Sequence, residues 1–313
     1  ISMEVSSHAL AQGKVKDVSC QHAIFTNLTL DHLDYHHTMD NYAAAKALLF
    51  AYPSLKYAII NHDDPYAALI SASIPKACRR LSYGIKEGCD VRAVTWEVSL
   101  EGSLIQVVSP WGKHQLMINS LGFFNIYNAL AVFSSLLAAN YDVEKVISVM
   151  AMLKAAPGRM EIVAVQPYVI VDYAHTPDAL QNVLMTLNTV KKGRVLVVFG
   201  CGGDRDKSKR PIMGNIAAQY ADLAIITSDN PRTEDPEQII NDIKSGIGTD
   251  TIVHSIADRK EAIAYAMQLA NKDDIVLVAG KGHEDYQQIG NQRYAFSDQT
   301  TIKHVLLKQA EFG

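Results

Sequence analysis

Four short stretches of the 313-residue sequence combine charged side chains with glycine or proline, and each directly follows an apolar run. They read DYAHTP from Asp172, GCGGDRDKSKRP from Gly200, TSDNPR from Thr227 and GKGHED from Gly280. Any one of them could be a solvated turn, since Asn-Pro favours turns and Asp caps helices. A set of four so rich in Arg, Asp, His and Gly instead indicates a binding site for a charged small molecule.

The second stretch has the composition of an anion-binding loop. Its glycines, Gly200, Gly202 and Gly203, would let the backbone approach a ligand closely or adopt positive φ. Arg205 and, further on, Lys209 and Arg210 then supply positive charge suited to a phosphate or a carboxylate. It is not a Walker A loop, because GxxxxGK[ST] occurs nowhere in the 313 residues.

A further polar cluster lies in the first half of the chain. Glu4 precedes two serines, and residues 31–37 carry three histidines in a predicted loop without the spacing of a zinc site. A predicted helix over residues 41–50 has one lysine, Lys46, among alanines and leucines. A lone lysine on such a helix often reaches solvent, and Glu4 could simply pair with His32. The pattern alone leaves these alternatives open.

The elements that must position these residues are clearest from about Pro167 onward, where apolar runs alternate with amphipathic segments. This alternation predicts a doubly wound α/β domain, a parallel sheet with helices on both faces. The charged stretches would then lie at the carboxyl ends of strands, where such sheets bind ligands. The predicted strands are 168–172, 194–199, 223–227, 251–254 and 274–279, and the predicted helices are 177–187, 211–219, 236–243 and 259–269.

The first half is more mixed. Its opening residues, 1–5, resemble a strand already under way, and residues 91–119 lack a helical period and indicate several strands. The segment 155–158, Ala-Ala-Pro-Gly, is the best candidate linker between the halves. The remaining predicted elements are strands at 23–28 and 57–60, each followed by a helix, and a long helix over 127–140.

Composition excludes several classes of protein. With 48% hydrophobic and 20% charged residues, the chain can build about two domains. A net charge of −4 argues against a broad nucleic-acid-binding face. No apolar run approaches the roughly 20 residues that cross a bilayer. The four cysteines show no CxxC spacing, which is typical of free thiols in a reducing cytoplasm.

Nine motifs together resemble one family. EVSSHAL, FTNLTLDHLDYH, AAAKALLF, GFFNIYNA, APGRME, DYAHTPDAL, FGCGGDRDKSKRP, DNPR and AGKGHEDYQ occur in the order seen in the Mur ligases, from Glu4 to about Gln288. These are ATP-dependent amide-bond ligases of peptidoglycan precursor synthesis. The match is most specific to the member that adds the third amino acid. The resemblance implies a cytoplasmic monomer.

The resemblance also implies the domain organisation. The family has an N-terminal domain for the uridine nucleotide, a central ATPase domain and a C-terminal Rossmann-like domain. We expect residues 1–156 to be a truncated central domain and residues 157–313 to be the C-terminal domain. The start at Ile1, without an initiator Met, fits a fragment that lacks the N-terminal domain and the Walker A segment. We expect this fragment alone to be inactive.

The family reaction sets the chemistry. ATP phosphorylates the D-glutamate carboxylate of UDP-N-acetylmuramoyl-L-alanyl-D-glutamate, and the amine of the incoming amino acid displaces phosphate. Two anions must approach one another, which calls for Mg²⁺ and positive side chains. By resemblance, Glu4 and His32 bind Mg²⁺, and Lys46 is carbamylated. Burial lowers a lysine pKa, so a neutral Lys46 amine could capture carbon dioxide.

Further roles come from the same resemblance. The implied catalytic residues are His32, Lys46 and Asp172. Adenine would contact Asn125 and Asn128, on the N-terminal turn of their helix. The ribose and phosphates of the nucleotide would contact Arg159, Asp172 and His175. The muramoyl peptide would contact Ser6 and Lys14. Three positions depart from the family: Lys14 stands where arginine is usual, and His37 and Ser208 stand where glycine is common.

The stretch DNPR resembles the signature of family members that add meso-diaminopimelate. This amino acid ends in an ammonium and a carboxylate. Arg232 would bind the carboxylate bidentately, while Glu284 and the carbonyl of Gly280 would accept the ammonium. L-lysine lacks that carboxylate and would leave Arg232 unpaired, which such sites reject strongly. Arg205 and Asn230 would complete the site, with Asp229 shaping the loop or meeting the amine.

Three alternatives remain at this point. A lysine-adding relative is disfavoured by DNPR. Folylpolyglutamate synthetase has the same fold and lysine carbamate, but is disfavoured by the pair GCGGDRDK and GKGHE. The third alternative, a module that binds amino acid or nucleotide without turnover, suits the fragment itself.

Overall fold

The structure is a computed structural model, and it describes residues 1–29, 32–153, 156–248 and 252–312. It divides into two compact units: unit 1 comprises residues 1–119 and 123–153, and unit 2 comprises residues 120–122 and 154–313. The predicted linker begins on Ala155 and the fourth predicted strand begins on Thr251, both outside the described residues, as is Asp31 of the histidine segment. The predicted domain boundary after residue 156 stays a prediction.

Unit 1 is built on a six-stranded sheet. Strands β1 to β4 run parallel, and β4, β5 and β6 form an antiparallel meander, so the spatial order equals the chain order. The strands are β1 (His22–Phe25), β2 (Tyr57–Asn61), β3 (Arg79–Gly84), β4 (Val91–Ser99), β5 (Gly102–Ser109) and β6 (Gly112–Ile118). The helices are α1 (Ser7–Ala11), α2 (Leu33–His36), α3 (Met39–Ala47), α4 (Ala67–Ala72), α5 (Phe123–Ala138) and α6 (Val143–Met152), and a 3₁₀ turn covers Leu48–Ala51.

Two apolar clusters hold unit 1 together. One lies between the sheet and helices α5 and α6, where Phe133 and Leu130 pack with Ile105 and Leu116 of the meander. The other joins β1 and β2 to α3 and α4 and includes Phe50. Helix α3 therefore carries its alanines inward, with Ala43 fully buried, and this fixes where its single lysine can lie.

Three sequence predictions for unit 1 are wrong. Residues 1–6 form no strand, and Ile1 and Met3 are exposed, so nothing packs on these apolar side chains to stabilise one. His36 lies on the short helix α2 and is buried, whereas a loop was predicted for the histidine segment. The helix predicted from residue 127 begins at Phe123, because its first turn carries two exposed phenylalanines and lacks a visible cap.

Unit 2 is the predicted doubly wound domain. Its sheet has the order β11-β10-β9-β12-β8-β7, parallel throughout except for β7 at one edge. The strands are β7 (Glu161–Val165), β8 (Tyr168–Asp172), β9 (Val195–Phe199), β10 (Leu223–Ile226), β11 (Val253–Ser255) and β12 (Ile275–Ala279), with a separate hairpin of β13 (Tyr286–Ile289) and β14 (Gln292–Ala295). The helices are α7 (Pro177–Val190), α8 (Lys209–Tyr220), α9 (Pro236–Lys244), α10 (Arg259–Leu269) and α11 (Asp298–Phe312).

Both faces of this sheet are covered. Alternate residues of the central strands, such as Val198 and Val278, pack against Ile263 of α10 and Ile302 of α11. The residues between them, such as Val197 and Leu277, are equally buried, and helices α7, α8 and α9 contact β9 and β10. This explains why the strands read as continuous apolar runs, as is typical of parallel sheets covered on both faces.

Local signals set where the helices of unit 2 begin. Thr176 and Asp235 each cap a helix whose first turn carries a proline, with side-chain oxygens that accept from the backbone N–H of Ala179 and Glu237. Within the described ranges, no helix combines the length and the apolar composition that would span a bilayer.

Candidate functional site

The four charged stretches follow four neighbouring strands. The sheet order β10-β9-β12-β8 places the segments after Ile226, Phe199, Ala279 and Asp172 along one edge of unit 2. All four strands are parallel, so these segments leave the sheet at their shared carboxyl ends. The strand order reverses here, because β12 returns between β8 and β9. Open α/β sheets bind ligands at such a point.

The DNPR segment is a rigid loop. Asp229 and Asn230 are buried, and the Asp229 carboxylate accepts the Asn230 backbone N–H at 2.7 Å, so Asp229 shapes the loop. Arg232 has a φ of 52°, which is uncommon for a residue with a side chain. Backbone hydrogen bonds hold it there: its N–H donates to Gln288 and its carbonyl accepts from Gly290. The hairpin thus fixes Arg232.

Glu284 lies against the same loop. Its Oε2 accepts from Asn230 Nδ2 at 2.9 Å and from Lys281 Nζ at 2.9 Å. Burial opposes the charged form of Glu284, but the hydrogen bonds from Lys281 and Asn230 outweigh it and lower the pKa of this carboxyl. The positive charge of Arg232 adds to the lowering, so both predicted specificity residues act in one electrostatic environment.

Lys281 is a residue of this site that sequence reasoning missed. Its side chain is fully buried, and its ammonium also donates to Asn230 Oδ1 at 3.1 Å. The sequence offered one indication of its burial, because Lys281 stands between two glycines directly after the fully buried strand β12. Gly280, just before it, has a φ of 115°, and a Cβ there would lie 2.8 Å from Asp229 Oδ2. The loops after β10 and β12 are therefore in direct contact.

The glycine-rich loop after β9 also packs against the DNPR segment. None of Gly200, Gly202 and Gly203 has positive φ, so that part of the prediction is wrong, while the close approach to a ligand stays a prediction. A Cβ on Gly203 would overlap the carbonyl of Pro231, and a Cβ on Gly200 would overlap the carbonyl of Thr227. These two glycines therefore allow the loop after β9 to pack closely against the DNPR segment.

Two arginines come together at this contact. Arg232 Nη1 donates to the Gly203 carbonyl at 2.7 Å, and a Cβ on Gly202 would lie 3.7 Å from the Arg205 stem. Arg205 is exposed, and among the residues that the structure describes its guanidinium donates only to the neighbouring Asp204 carbonyl, at 3.1 Å. It thus has donors left for a ligand.

Arg210, predicted to offer its charge to an anion, is instead buried and paired with carboxylates of the protein, because it lies on the inner side of α8. Arg210 donates to Glu234 at 2.9 and 3.0 Å and to Asp242 at 2.8 Å, and its side chain has no exposed surface. Glu234 in turn accepts the Asp204 backbone N–H at 2.6 Å. The hydrogen bonds from Arg210 and Asp204 lower the pKa of Glu234 to about 2. Ser208, where glycine was expected, has an ordinary helical φ of −63°.

The residues predicted to bind nucleotide in unit 2 surround Asp172. This buried carboxylate accepts the backbone N–H groups of Met160 and Ala174, both at 2.8 Å. Burial raises the pKa of Asp172, although those hydrogen bonds and the charges of Arg159 and His175 oppose the rise. The structure therefore brings Asp172, Arg159 and His175 together.

An aromatic side chain lies at the centre of this group. The Arg159 guanidinium is 4.9 Å from the Tyr173 ring centroid, and the rings of His175 and His283 approach the same ring at 4.5 and 5.4 Å. Arg159 and His175 are exposed, so both can contact a ligand. Tyr173 and His283 were not predicted as site residues.

In unit 1, Lys46 faces the N-terminal segment. Its ammonium donates to the Val5 carbonyl at 3.3 Å. Burial lowers the pKa of Lys46, and the charge of Glu4 opposes this only in part. The interaction brings the predicted carbamylation site and one predicted metal ligand together. His32 has a φ of 55°, and its ring lies 5.0 Å from that of His8.

The other predicted residues of unit 1 lie on helices or just beyond them. Ser6 caps α1, since its hydroxyl accepts the Ala9 N–H at 3.2 Å, and Lys14 is exposed shortly after that helix. Asn128 donates to Asn125 at 3.0 Å, and both face the same side of α5. Because α5 begins at Phe123, Asn128 lies on its second turn and not on the N-terminal turn as predicted.

The donors for a metal ion are few without modification. In the part of the chain that the structure describes, no group of three or more His, Cys, Asp or Glu side chains could hold one. Glu4 and His32 are the predicted ligands, and the amine of Lys46 is no anionic ligand as it stands. A carbamate on Lys46 would supply a further oxygen ligand, so the donor chemistry fits Mg²⁺ only with that modification.

Comparisons with known proteins agree with this arrangement. Residues 1–136 match the family model of the Mur ligase middle domain, and residues 158–282 match that of the Mur ligase glutamate ligase domain. The chain belongs to the Mur ligase family. The predicted fold class, a Mur ligase central domain followed by a Rossmann-like C-terminal domain, is confirmed.

Several relatives of this Mur ligase chain carry one name, UDP-N-acetylmuramoyl-L-alanyl-D-glutamate--2,6-diaminopimelate ligase. One from Neisseria meningitidis serogroup A is 46% identical over 313 residues, which are 98% of this chain and 63% of the relative. One from Geobacillus kaustophilus is 44% identical, covering 97% of this chain and 64% of the relative. The chain thus spans less than two thirds of the length of these relatives.

Solved structures give the same picture. A structure with that enzyme name is 41% identical, has a TM-score of 0.72, and the match covers 99% of this chain and 64% of that chain. Mycobacterium tuberculosis folylpolyglutamate synthase has a TM-score of 0.70 at 20% identity over 84% of this chain and 62% of that chain, a likeness of fold alone.

Proposed function

We propose that this Mur ligase chain serves the ATP-dependent addition of meso-2,6-diaminopimelate to UDP-N-acetylmuramoyl-L-alanyl-D-glutamate, through an acyl phosphate, in peptidoglycan precursor synthesis. The names of the relatives at 44–47% identity support the substrates. Both substrates and ATP are metabolites of the cytoplasm, where we place the protein. We propose that it is a monomer, which light scattering would check.

One observation carries the choice of amino acid. Arg232 and Glu284 flank Asn230 on one rim, so a cation and an anion act on the same small volume. A ligand tip with both an ammonium and a carboxylate matches this pair, and L-lysine satisfies only half of it. A buried or half-buried arginine left without its carboxylate would disfavour lysine strongly. Arg205, Asp229, Asn230 and the Gly280 carbonyl complete the proposed amino-acid site.

Each unit has residues that we propose for ATP binding. In unit 2, Arg159 and His175 offer positive charge and hydrogen-bond donors beside Asp172, as an ATP ribose and phosphates require. In unit 1, the amide groups of Asn125 and Asn128 offer donors and acceptors for the adenine edge. Ser6 and Lys14 would contact the muramoyl peptide. Lys14 keeps the charge of the usual arginine without its bidentate geometry.

Mg²⁺ belongs to the proposal because two anions must meet. When bound, it would neutralise the phosphates during phosphoryl transfer. Glu4 and His32 would hold it, together with carbamylated Lys46. Burial favours the neutral amine of Lys46, which is the form that reacts with carbon dioxide. His32, Lys46 and Asp172 are the proposed catalytic residues.

Calorimetric titration of the chain with meso-diaminopimelate and with L-lysine tests the specificity. We expect binding of the first and at least about a hundredfold weaker binding of the second. Arg232→Lys should lose most of this discrimination, since a lysine cannot form the bidentate contact. Arg80→Lys, an exposed change in unit 1, is the matched control. Equal affinity of the unsubstituted chain for both amino acids would refute the proposal.

A further inference from the structure

A fully buried ammonium lies directly behind the proposed amino-acid site. Lys281 follows β12, and its side chain has no exposed surface. Burying an ammonium is costly unless it is both paired and hydrogen-bonded. Lys281 meets both conditions, since it is paired with Glu284 and hydrogen-bonded to Asn230, so its charge is tied to the two residues that it contacts.

The contacts of Lys281 form a closed triangle with two predicted specificity residues. Its Nζ donates to Glu284 Oε2 at 2.9 Å and to Asn230 Oδ1 at 3.1 Å, while Asn230 Nδ2 donates to the same Oε2 at 2.9 Å. The Gln288 N–H also donates to Asn230 Oδ1, at 2.8 Å, which fixes the orientation of the amide. Lys281 thus orients both neighbours.

The triangle leaves Glu284 with one oxygen for a ligand. Both hydrogen bonds go to Oε2, and within the described ranges no hydrogen bond to Oε1 is found. An incoming ammonium can bind Oε1 while Lys281 keeps Oε2. Glu284 would then bind the Lys281 ammonium and the ligand ammonium at the same time, so its full negative charge is not available to the ligand.

The charges around this carboxylate balance. Lys281 binds it, the charge of Arg232 lowers its pKa, and Asp229 lies against Gly280. The charge of Arg259 also acts on Glu284 and Asp229, and Asp298 pairs with Arg259. The Tyr286 ring covers Lys281, with its centroid 5.5 Å from Nζ. Lys281 and Arg232 balance Glu284 and Asp229, and Arg259 is balanced by its partner Asp298. The tip of meso-diaminopimelate is also neutral overall, whereas the tip of L-lysine carries a full positive charge.

We propose that Lys281 is a specificity-determining residue of the amino-acid site: it neutralises half of Glu284 and thereby prevents the site from attracting a lone ammonium. This inference rests on the proposed function. Without Lys281 the surroundings of Glu284 would be more negative by one charge, which favours a monocationic tip over a zwitterionic one. Arg232 selects for the carboxylate, and Lys281 selects against ligands that bring only an ammonium, a form of selection against the wrong ligand.

The test compares Lys281→Met with Lys303→Met, an exposed lysine on α11, by titrating each with meso-diaminopimelate and L-lysine. We expect Lys303→Met to match the unsubstituted chain. Lys281→Met should weaken diaminopimelate binding and reduce the preference for it over lysine by roughly tenfold or more, the effect of one charge near a protein surface. An unchanged preference in folded Lys281→Met would overturn the inference. Failure of the unsubstituted chain to prefer diaminopimelate would instead refute the proposed function.

A second measurement needs no substitution and covers the case in which Lys281→Met does not fold. Nitrogen-detected NMR of lysine ammonium groups in the unsubstituted chain should show one that exchanges slowly with water. Its signal should persist when diaminopimelate is added, because the ligand binds Oε1 and leaves the Lys281 contacts intact. Absence of a protected ammonium, or its release on ligand binding, would contradict the inference.

Discussion

The guanidinium of Arg259 and the carboxylate of Asp298 form a fully buried, two-pronged ion pair, with Nε–Oδ1 and Nη2–Oδ2 distances of 2.8 Å each. The same guanidinium donates to the carbonyls of Ser228 and Ala279, at 3.4 and 3.0 Å. These are the residues immediately before Asp229 and Gly280. One side chain therefore joins the two loops of the proposed amino-acid site to the start of α11.

This pair predicts a non-additive response to substitution. Arg259→Met leaves the Asp298 carboxylate buried without a partner and should lower the free energy of unfolding by about 3–5 kcal/mol. Arg259→Met combined with Asp298→Leu removes both charges and should be less destabilising than the single change. Urea unfolding of the three proteins measures both effects. A double variant less stable than Arg259→Met would contradict the role of the pair.

Glu234 joins Arg210 to the backbone of Asp204, and we expect this contact to be sensitive to acid. Its pKa is lowered from the ordinary 4.5 to about 2, chiefly by Arg210, so its contribution to stability is complete above the unfolded value and is lost as the pH falls towards 2. Glu234→Gln removes this contribution. We expect the free energy of unfolding of the variant to change less with pH between about 5 and 2 than that of the unsubstituted chain.

Urea unfolding at several pH values within that window gives the comparison. Glu237→Gln, in the first turn of α9, is the control because it leaves the contacts of Arg210 in place. Parallel pH dependences for Glu234→Gln and the unsubstituted chain would show that the Arg210 contact does not shift the titration of Glu234.

A substitution at Gly203 tests whether the packing of the loop after β9 against the DNPR segment requires a residue without a side chain. A Cβ there would overlap the Pro231 carbonyl, although the φ of Gly203 is not positive, so the effect of Gly203→Ala comes from packing alone. We expect a loss of about 1–3 kcal/mol in the free energy of unfolding, together with weaker binding of diaminopimelate. Gly248→Ala, where a Cβ meets nothing within 4 Å, should change neither quantity. Equal behaviour of the two variants would refute the packing argument.

Lys46 should form a carbamate more readily than an exposed lysine. Burial lowers its pKa, so more of the amine is neutral near neutral pH, and that fraction rises as the pH increases. With isotopically labelled bicarbonate, NMR of the chain should show a carbamate carbon that Lys46→Arg abolishes. Lys56→Arg, at an exposed position, should retain the signal. A signal independent of Lys46 would remove the basis for its proposed role.

Much of unit 2 could be predicted from the sequence because its signals are local. The strand at 168–172 and the helix at 259–269 have the predicted bounds. The hairpin of β13 and β14 was missed, since its residues are mostly polar and half-exposed or exposed and show no alternation of apolar side chains. Its importance comes from tertiary contacts with Arg232, which no local pattern indicates.

The burial of two arginines was beyond sequence reasoning. Arg210 and Arg259 have fully buried side chains, whereas the usual expectation for arginine is exposure. Each is explained by partners distant in sequence, Glu234 and Asp242 for Arg210 and Asp298 for Arg259. The difference from the family at His37 did indicate backbone conformation. Glycine is common at this position, and His37 has a φ of 67°, which glycine adopts easily.

The backbone pairing of Arg232 with the hairpin, a bridge to Ile289 flanked by hydrogen bonds to Gln288 and Gly290, has a consequence for engineering. The four letters DNPR are not a self-contained module. Introducing these four residues into a homologue would transfer the guanidinium but not the β13–β14 hairpin that positions it. A change of amino-acid preference by grafting would have to exchange residues 229–232 and 286–295 together.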